Sequence, residues 1–269
     1  MYFMITQQGV LHAKKADSLL FNTSRPVYEV IRVIDGTALF LEDHYKRLVS
    51  SIKIRGLEFE MEFSEFRKNI AKLAKLNRIQ NGNVKFVLYE VDKIIHWSFS
   101  FISHSYPTPV DYQNGVATGL FFAERENPNA KIIQNAVSGK ANELIADKKL
   151  YEVLLVDRNG MITEGSRSNV FFVKDNQFYT APASKVLVGV TRKKVMECLN
   201  ELHFTIVEEA VPASETGTFD AVFLTGTSPK VLPVNCIGTL QFEVKNSFVE
   251  QLMVKYNSII ETYLKSQED

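Results

Sequence analysis

The sequence predicts an α+β protein of two domains, and three observations carry that prediction. β-Branched and aromatic runs come in pairs joined by short turns rich in asparagine, aspartate and glycine, the pattern of antiparallel hairpins. Segments with apolar residues at helical spacing are mixed among those pairs. A stretch with two prolines and few core residues, Ser103-His-Ser-Tyr-Pro-Thr-Pro-Val-Asp111, falls before the middle of the chain and reads as the approach to a boundary. The expected domains are a smaller α/β N-terminal one at 1–110 and a larger one at 117–269 with mainly antiparallel strands. A linker at about 105–116 joins them.

Val27-Tyr-Glu-Val-Ile-Arg-Val-Ile34 is a strand, and Asp35-Gly36 turns it into Ala38-Leu-Phe-Leu41. Glu42-Asp43 marks a helix start, with His44-Tyr-Lys-Arg-Leu-Val-Ser-Ser-Ile52 following at helical spacing. Phe63 to Leu76 repeats that spacing, and Asn83–Glu90 pairs with Ile94–Phe101 as strands. In the second half the spacing predicts a strand at Val116–Phe122 and a helix from Asn135 to Lys149. Two hairpins follow: Leu150–Val156 with Met161–Glu164, then Ser168–Val173 with Gln177–Thr180. A helix from Thr191 to Leu202, a buried strand Ala221–Thr225 and a helix from Ser247 to Leu264 complete the chain.

Composition excludes several classes of function. Lysine plus arginine equals aspartate plus glutamate at 31 each, so no overall field favours nucleic acid or an anionic membrane, and any bound anion must be caught locally. Cys198 and Cys236 have neither metal-ligand spacing nor a disulfide framework, so no metal is expected and a reducing compartment is the default. The first nine residues lack a basic region and a long apolar run, and no segment is long and apolar enough to span a bilayer. A cytoplasmic protein is expected.

Four places invite chemistry. Leu187-Val-Gly-Val-Thr-Arg192 sets a glycine and Thr191 just before a helix, whose free first-turn N–H groups suit a phosphate; Thr191 as a mere cap is the plainer alternative. Thr225-Gly-Thr-Ser228 ends a buried strand in small hydroxyl residues, where Thr227 and Ser228 can reach a ligand or simply make a turn. Glu164 lies at the end of a hairpin strand, where it suits a pyridinium nitrogen or an exposed turn. Lys131 stands among apolar residues before a helix. A lysine in an apolar pocket gives up its proton more readily and its neutral amine attacks carbonyls, yet composition does not separate Lys131 from Lys140.

As an ordered set these signals are specific. Tyr151-Glu-Val-Leu-Leu-Val-Asp-Arg-Asn-Gly-Met-Ile-Thr-Glu-Gly-Ser-Arg-Ser-Asn-Val-Phe-Phe-Val173, then Tyr179-Thr-Ala-Pro182, then Leu187–Arg192, resembles the signature of the class IV aminotransferases. These are the fold type IV pyridoxal-phosphate enzymes, among them branched-chain and D-amino acid aminotransferases and aminodeoxychorismate lyases. The likeness extends to Val27–Val33, His44–Ser51 and Val222–Val234.

The resemblance implies pyridoxal 5′-phosphate held by Lys131 as a Schiff base, with Asn135 shortly after it. It implies Glu164 on the ring nitrogen and Leu187 packed on the ring, with Arg47, Val190, Thr191 and Thr227 on the phosphate. Tyr28 falls where some relatives face the substrate carboxylate, and Arg25 and Ser228 are further substrate candidates. The implied reaction is transamination between an amino donor and a 2-keto acid in a homodimer, with a lyase as the alternative and a non-catalytic binding module behind it.

The sequence also departs from the family. Thr23-Ser-Arg-Pro26 replaces a Gly-Asp-Gly-like stretch, and Val84–Trp97 contains no Arg-x-His of the D-amino acid enzymes. An Ile-Arg-Pro-Leu-like element is missing, Ala136 replaces a tyrosine, and Val30 stands where some lyases carry threonine.

Overall fold

The computed structural model of the protein describes residues 2–12 and 25–267, so Thr23 and Ser24 of the departing stretch lie outside the described residues. The chain forms two compact units. The first comprises Met1–Ser105, Ala130–Ile133 and Ile260–Asp269, and the second Tyr106–Asn129 and Gln134–Ile259. This differs from two continuous stretches divided near residues 105–116: the chain changes unit within that region, but two later pieces return to the first unit.

The first unit is built from β1 (Phe3–Thr6), β2 (Gly9–His12), β3 (Val27–Ile34), β4 (Thr37–Ala38), α1 (Leu41–Arg55), α2 (Phe63–Asn77), β5 (Gly82–Val91) and β6 (Ile94–Ile102). Its strands form one antiparallel sheet in the order β2-β1-β6-β5-β3-β4. Alternation gives the sheet two unlike faces. One carries Val27, Ile31, Val33, Val84, Phe86, Leu88 and Phe99 into a core shared with Leu48, Ile52, Phe66, Ile70 and Leu73 of the helices. At its centre the rings of Phe66, Phe86 and Phe99 lie 4.7–5.3 Å apart. The other face bears Tyr28, Val30, Asn83, Lys85, Ser98 and Ser100.

The expected strand Ala38–Leu41 is shorter than its apolar run implies. Only Thr37 and Ala38 are strand; Phe40 takes a left-handed conformation (φ 50°) and α1 begins at Leu41. The Leu41 N–H then donates to the Tyr263 hydroxyl rather than to a strand partner. The β1–β2 hairpin was not anticipated at all.

The second unit contains α3 (Pro109–Asn114), β7 (Val116–Phe122), α4 (Asn135–Lys148), β8 (Glu152–Val156), β9 (Met161–Gly165), β10 (Asn169–Lys174), β11 (Gln177–Tyr179), α5 (Val190–Glu201), β12 (Thr205–Val207), β13 (Val211–Pro212), β14 (Ala221–Gly226), β15 (Lys230–Ile237), β16 (Leu240–Gln241) and α6 (Ser247–Lys265), the last turns of which group with the first unit. Its sheet runs β12-β11-β10-β14-β15-β7-β8-β9-β13, with β16 on β15. Most pairs are antiparallel, as expected. The exceptions are β7, parallel to both neighbours, and β12, parallel to β11. A parallel β7–β8 pair needs a long crossover, and α4 lies within it.

Val170, Phe172, Val222, Leu224, Leu232 and Val234 form a core on one face of this sheet. On the other, Phe171 stacks on Phe223 at 5.1 Å and α5 packs on β14. These pairings bring the end of β14, the start of β10 and the start of α5 together.

Candidate active site

In the first unit, the inward alternation of β3 buries Glu29 completely, which no carboxylate tolerates without partners. The partners come from α1, where His44, Arg47 and Ser51 recur at helical spacing on one face. Arg47 binds Glu29 through two nitrogens, Nε to Oε1 at 2.8 Å and Nη2 to Oε2 at 2.7 Å, and His44 Nδ1 lies 2.9 Å from Oε2. Burial pushes the Glu29 carboxyl up, but the charge and hydrogen bonds of Arg47, with those of His44, outweigh it and hold it at about 2. Burial, with the charges of Arg47 and Lys131, pushes His44 below its ordinary value against the pull of Glu29. Arg47 is held above its ordinary value: burial opposes its charge, and Glu29, with Tyr28 adding, prevails.

Lys131 belongs to this cluster. Ala130–Ile133 runs antiparallel to the start of β3, through a bridge between Val27 and Ile132 and hydrogen bonds Tyr28 N to Lys131 O and Ile133 N to Pro26 O, each 3.0 Å. The Lys131 N–H donates to Ser51 Oγ at 3.1 Å. Ala130 and Ile132 are buried in the core, so Lys131 between them points away from it. Its Nζ lies 4.6 Å from the centre of the Tyr28 ring. Lys140, by contrast, is exposed on α4, a distinction that composition left open. The Asn135 side chain lies outside what the structure describes. Arg25 is exposed, at φ 61°, and its carbonyl accepts from Arg55 Nε at 3.3 Å.

In the second unit, Glu164 is buried near the end of β9 and is not an exposed turn residue. Its Oε2 accepts from the Leu187 N–H at 3.2 Å, and its Oε1 lies 3.1 Å from Arg125 Nε. Arg125 also donates to the Ser166 carbonyl. The turn after Glu164 is tied to a second buried carboxylate. Glu152 Oε1 accepts from Val153 N at 2.9 Å and Ser166 Oγ at 2.5 Å; Oε2 accepts from Arg167 N at 3.1 Å and Ser168 Oγ at 3.0 Å. Those four donors fill a carboxylate's capacity. Gly165 is required there, because a Cβ would sit 2.2 Å from Ser168 Oγ.

Leu187 is buried, with its carbonyl taken by Asn169 Nδ2 at 2.9 Å. Helix α5 then starts at Val190 with Gly189 as its cap and no side-chain cap bond, so Thr191 lies inside the first turn and does not cap it. A Cβ on Gly189 would stand 2.3 Å from Asn169 Oδ1. Asn169 pairs across the ladder with Thr225, whose hydroxyl is buried without a hydrogen-bond partner. Thr227 and Ser228 lie half-buried in the turn after β14. An uncapped twelve-residue helix start beside an orphaned hydroxyl fits an anion such as a phosphate. Taken unit by unit, the buried carboxylate of Glu164 suits a protonated ring nitrogen and the half-buried amine of Lys131 suits an aldehyde, so the chemistry of the residues present fits the cofactor that the resemblance implies.

Sequence reasoning missed Glu29 and His44, Arg125 and Glu152. The signal for Glu29 was available: a carboxylate at an inward position between Val27 and Ile31 demands partners. Arg125 and Glu152 carry no comparable signal, because their partners are set by the turn after β9.

A family model described as amino-transferase class IV matches residues 26–237. The chain is 27% identical over 226 residues to a probable branched-chain-amino-acid aminotransferase of Rickettsia typhi, covering 80% of this chain and 78% of that one. It is 28% identical over 226 residues to a D-alanine aminotransferase of Bacillus licheniformis, covering 78% of each. A solved branched-chain aminotransferase of Thermoproteus uzoniensis matches with TM-score 0.85 over 98% of this chain and 97% of that chain, at 21% identity, a likeness of fold alone.

The Glu29 cluster sets an acid limit on stability. Unfolded Glu29 titrates near 4.5 and folded Glu29 near 2, so its contribution is complete above 4.5 and is lost as pH falls towards 2. Folded His44 also resists protonation, so stability begins to decline with acid below about 6.5, where the unfolded state takes up that proton first. Glu29→Gln should cost about 3–5 kcal/mol at pH 7, the scale of stranding a buried partner, here Arg47. Urea unfolding across pH measures both effects, and a variant as stable as the parent would show that Arg47 does not depend on Glu29.

Proposed function

The chain belongs to the class IV aminotransferases, and from that membership we propose the roles its residues play in pyridoxal-phosphate-dependent transamination of an amino acid or related primary amine with a 2-keto acid. The observation that carries the assignment is the setting of Lys131: half-buried, held at its backbone by β3 and Ser51, and directed at Tyr28. When bound, the cofactor supplies an aldehyde for amines and a ring that draws electrons from the substrate's α-carbon.

Lys131 Nζ holds the cofactor covalently between turnovers. Its free amine would take the proton from the substrate's α-carbon as general base and return it, as acid, at the carbon that carried the cofactor's aldehyde. Glu164 keeps the ring nitrogen protonated, held in place by Arg125 and the Leu187 N–H. Leu187 packs on the ring. The N–H groups of Val190 and Thr191, the Thr227 hydroxyl and the Arg47 guanidinium hold the phosphate. Tyr28, Ser228 and Arg25 contact the substrate. No described helix is long and apolar enough to cross a membrane, and the proposed setting is the cytoplasm; a green fluorescent fusion confined to a membrane or secreted fraction would overturn it.

An absorbance spectrum of the purified holoenzyme, followed by a panel of L- and D-amino acids with 2-oxoglutarate or pyruvate, tests the reaction. Amino-group transfer supports it, whereas pyruvate released from a donor with no acceptor present identifies a lyase. Lys131→Ala should abolish the borohydride-trapped adduct while Lys140→Ala keeps it; an adduct mapped to Lys140 would move the catalytic role there. Glu164→Gln should keep the cofactor bound while turnover falls by roughly two orders of magnitude or more. Near-normal turnover in that variant would reduce Glu164 to a structural residue.

A homodimer is also proposed. The chain's 19 phenylalanines and 10 tyrosines are compatible with an aromatic interface. Sedimentation over a concentration series should give a dimer tightened by cofactor, and a monomer active at every concentration would refute it.

A further inference from the structure

We propose that Lys85 binds the carboxylate of the amino or keto acid substrate, an inference that rests on Lys131 being the reactive amine. Lys85 lies in the middle of β5, directly opposite Val30 on β3 and Ser100 on β6. It therefore stands on the sheet face away from the core, the face that bears Tyr28. Its Nζ is 5.5 Å from the centre of the Tyr28 ring, and Lys131 Nζ is 4.6 Å from the same centre. The two side-chain nitrogens therefore approach the same ring and are no farther apart than those two distances end to end.

The Lys85 side chain is half-buried, and its ammonium makes no hydrogen bond or ion pair with any described residue. A lysine that only decorates a surface extends its ammonium into water. This one is instead held at the Tyr28 ring, the same ring that Lys131 approaches, so its positive charge lies near the place where a substrate's anion must sit. A substrate carboxylate there supplies the counter-charge that the Lys85 ammonium lacks. Every α-amino and 2-keto acid brings such an anion, attached to the carbon next to the one on which Lys131 acts, while dicarboxylates bring a second one farther out. The neighbouring surface suits a polar ligand: Asn83 and Ser98 are buried on the same face although the sheet's core lies on the other.

The decisive comparison uses the holoenzyme with Lys85→Met, which keeps the stem and removes the charge, and with Lys85→Arg, which restores it. Lys85→Met should raise KM for carboxylate substrates at least tenfold with kcat within about threefold of the parent, and Lys85→Arg should recover most of the loss. A primary amine donor without a carboxylate should react equally with all three proteins, an effect that a merely structural lysine would not produce. Pyruvate and 2-oxoglutarate separate the two sources of the charge: an equal penalty for both assigns Lys85 to the α-carboxylate, and a penalty for 2-oxoglutarate alone assigns it to the distal one.

Unchanged KM for both acids in a Lys85→Met protein of normal melting temperature and cofactor absorbance would overturn the proposal. Calorimetric titration of 2-oxoglutarate and of pyruvate onto the same holoenzymes reads binding without turnover. A parent protein that binds them through Lys85 but transfers no amino group would sink the aminotransferase role and leave Lys85 standing. A parent that binds neither acid would refute the Lys85 site itself.

Discussion

The buried carboxylate of Glu29 is the constraint on which the first half of the site depends. Its burial forces a guanidinium and an imidazole towards β3, and both come from one face of α1. Once Arg47 is paired to both carboxylate oxygens, the rotation and register of α1 against β3 are set. Ser51 follows Arg47 by one helical turn, and its hydroxyl receives the Lys131 N–H. The placement of Lys131 thus descends from an ion pair made without it. That is why Lys131 can sit on a short non-helical segment and still have a defined position, the condition a general base must meet.

The second unit solves the same problem with two carboxylates of different character. Glu152 is satisfied by two backbone N–H groups and two serine hydroxyls, all from the strand it starts or the turn it clamps. With those four bonds made, it is a structural group that shapes the turn after Glu164. Glu164 instead faces a guanidinium on one oxygen and the Leu187 N–H, just before α5, on the other. A single residue therefore connects the end of β9 to the segment before α5 through Leu187. Asn169 reinforces that link by holding the Leu187 carbonyl and crowding Gly189.

Much of this was legible in the sequence, and what was not has a physical reason. The expected hairpins and helices follow from local periodicity, and nearly all of those fall within two residues of their expected bounds; β4 was misplaced because an apolar run before a helix is indistinguishable from a strand, and β1, β2, α3, β12, β13, β15 and β16 had no expected counterpart. The Glu164, Leu187 and Thr191 segments were readable because turn and helix-start chemistry is local. The roles of Arg125 and Glu152 depend on contacts with residues 39 and 14 positions away, which no spacing encodes. The choice of Lys131 over Lys140 came from resemblance; burial alone now separates their environments, one half-buried on Tyr28 and one exposed on α4. The grouping of Ala130–Ile133 with the first unit was invisible, since a four-residue segment carries no period.

The cofactor and substrate halves of the reaction place different demands on sequence. A phosphate and a ring nitrogen are the same in every relative, so the groups that meet them recur in recognisable order. A substrate changes, and the sheet face that carries Tyr28 and Lys85 has none of the arginine patterns by which relatives are sorted. A two-faced antiparallel sheet permits that freedom, because alternation lets one face answer only to the core. Val27, Ile31, Val84 and Phe86 are constrained by packing against α1 and α2. Their neighbours Tyr28, Val30, Asn83 and Lys85 lie on the opposite face and take no part in that core. Asn83 and Ser98 are buried polar residues on that face, and under the proposed role of Lys85 it is there that a change of substrate would be accommodated.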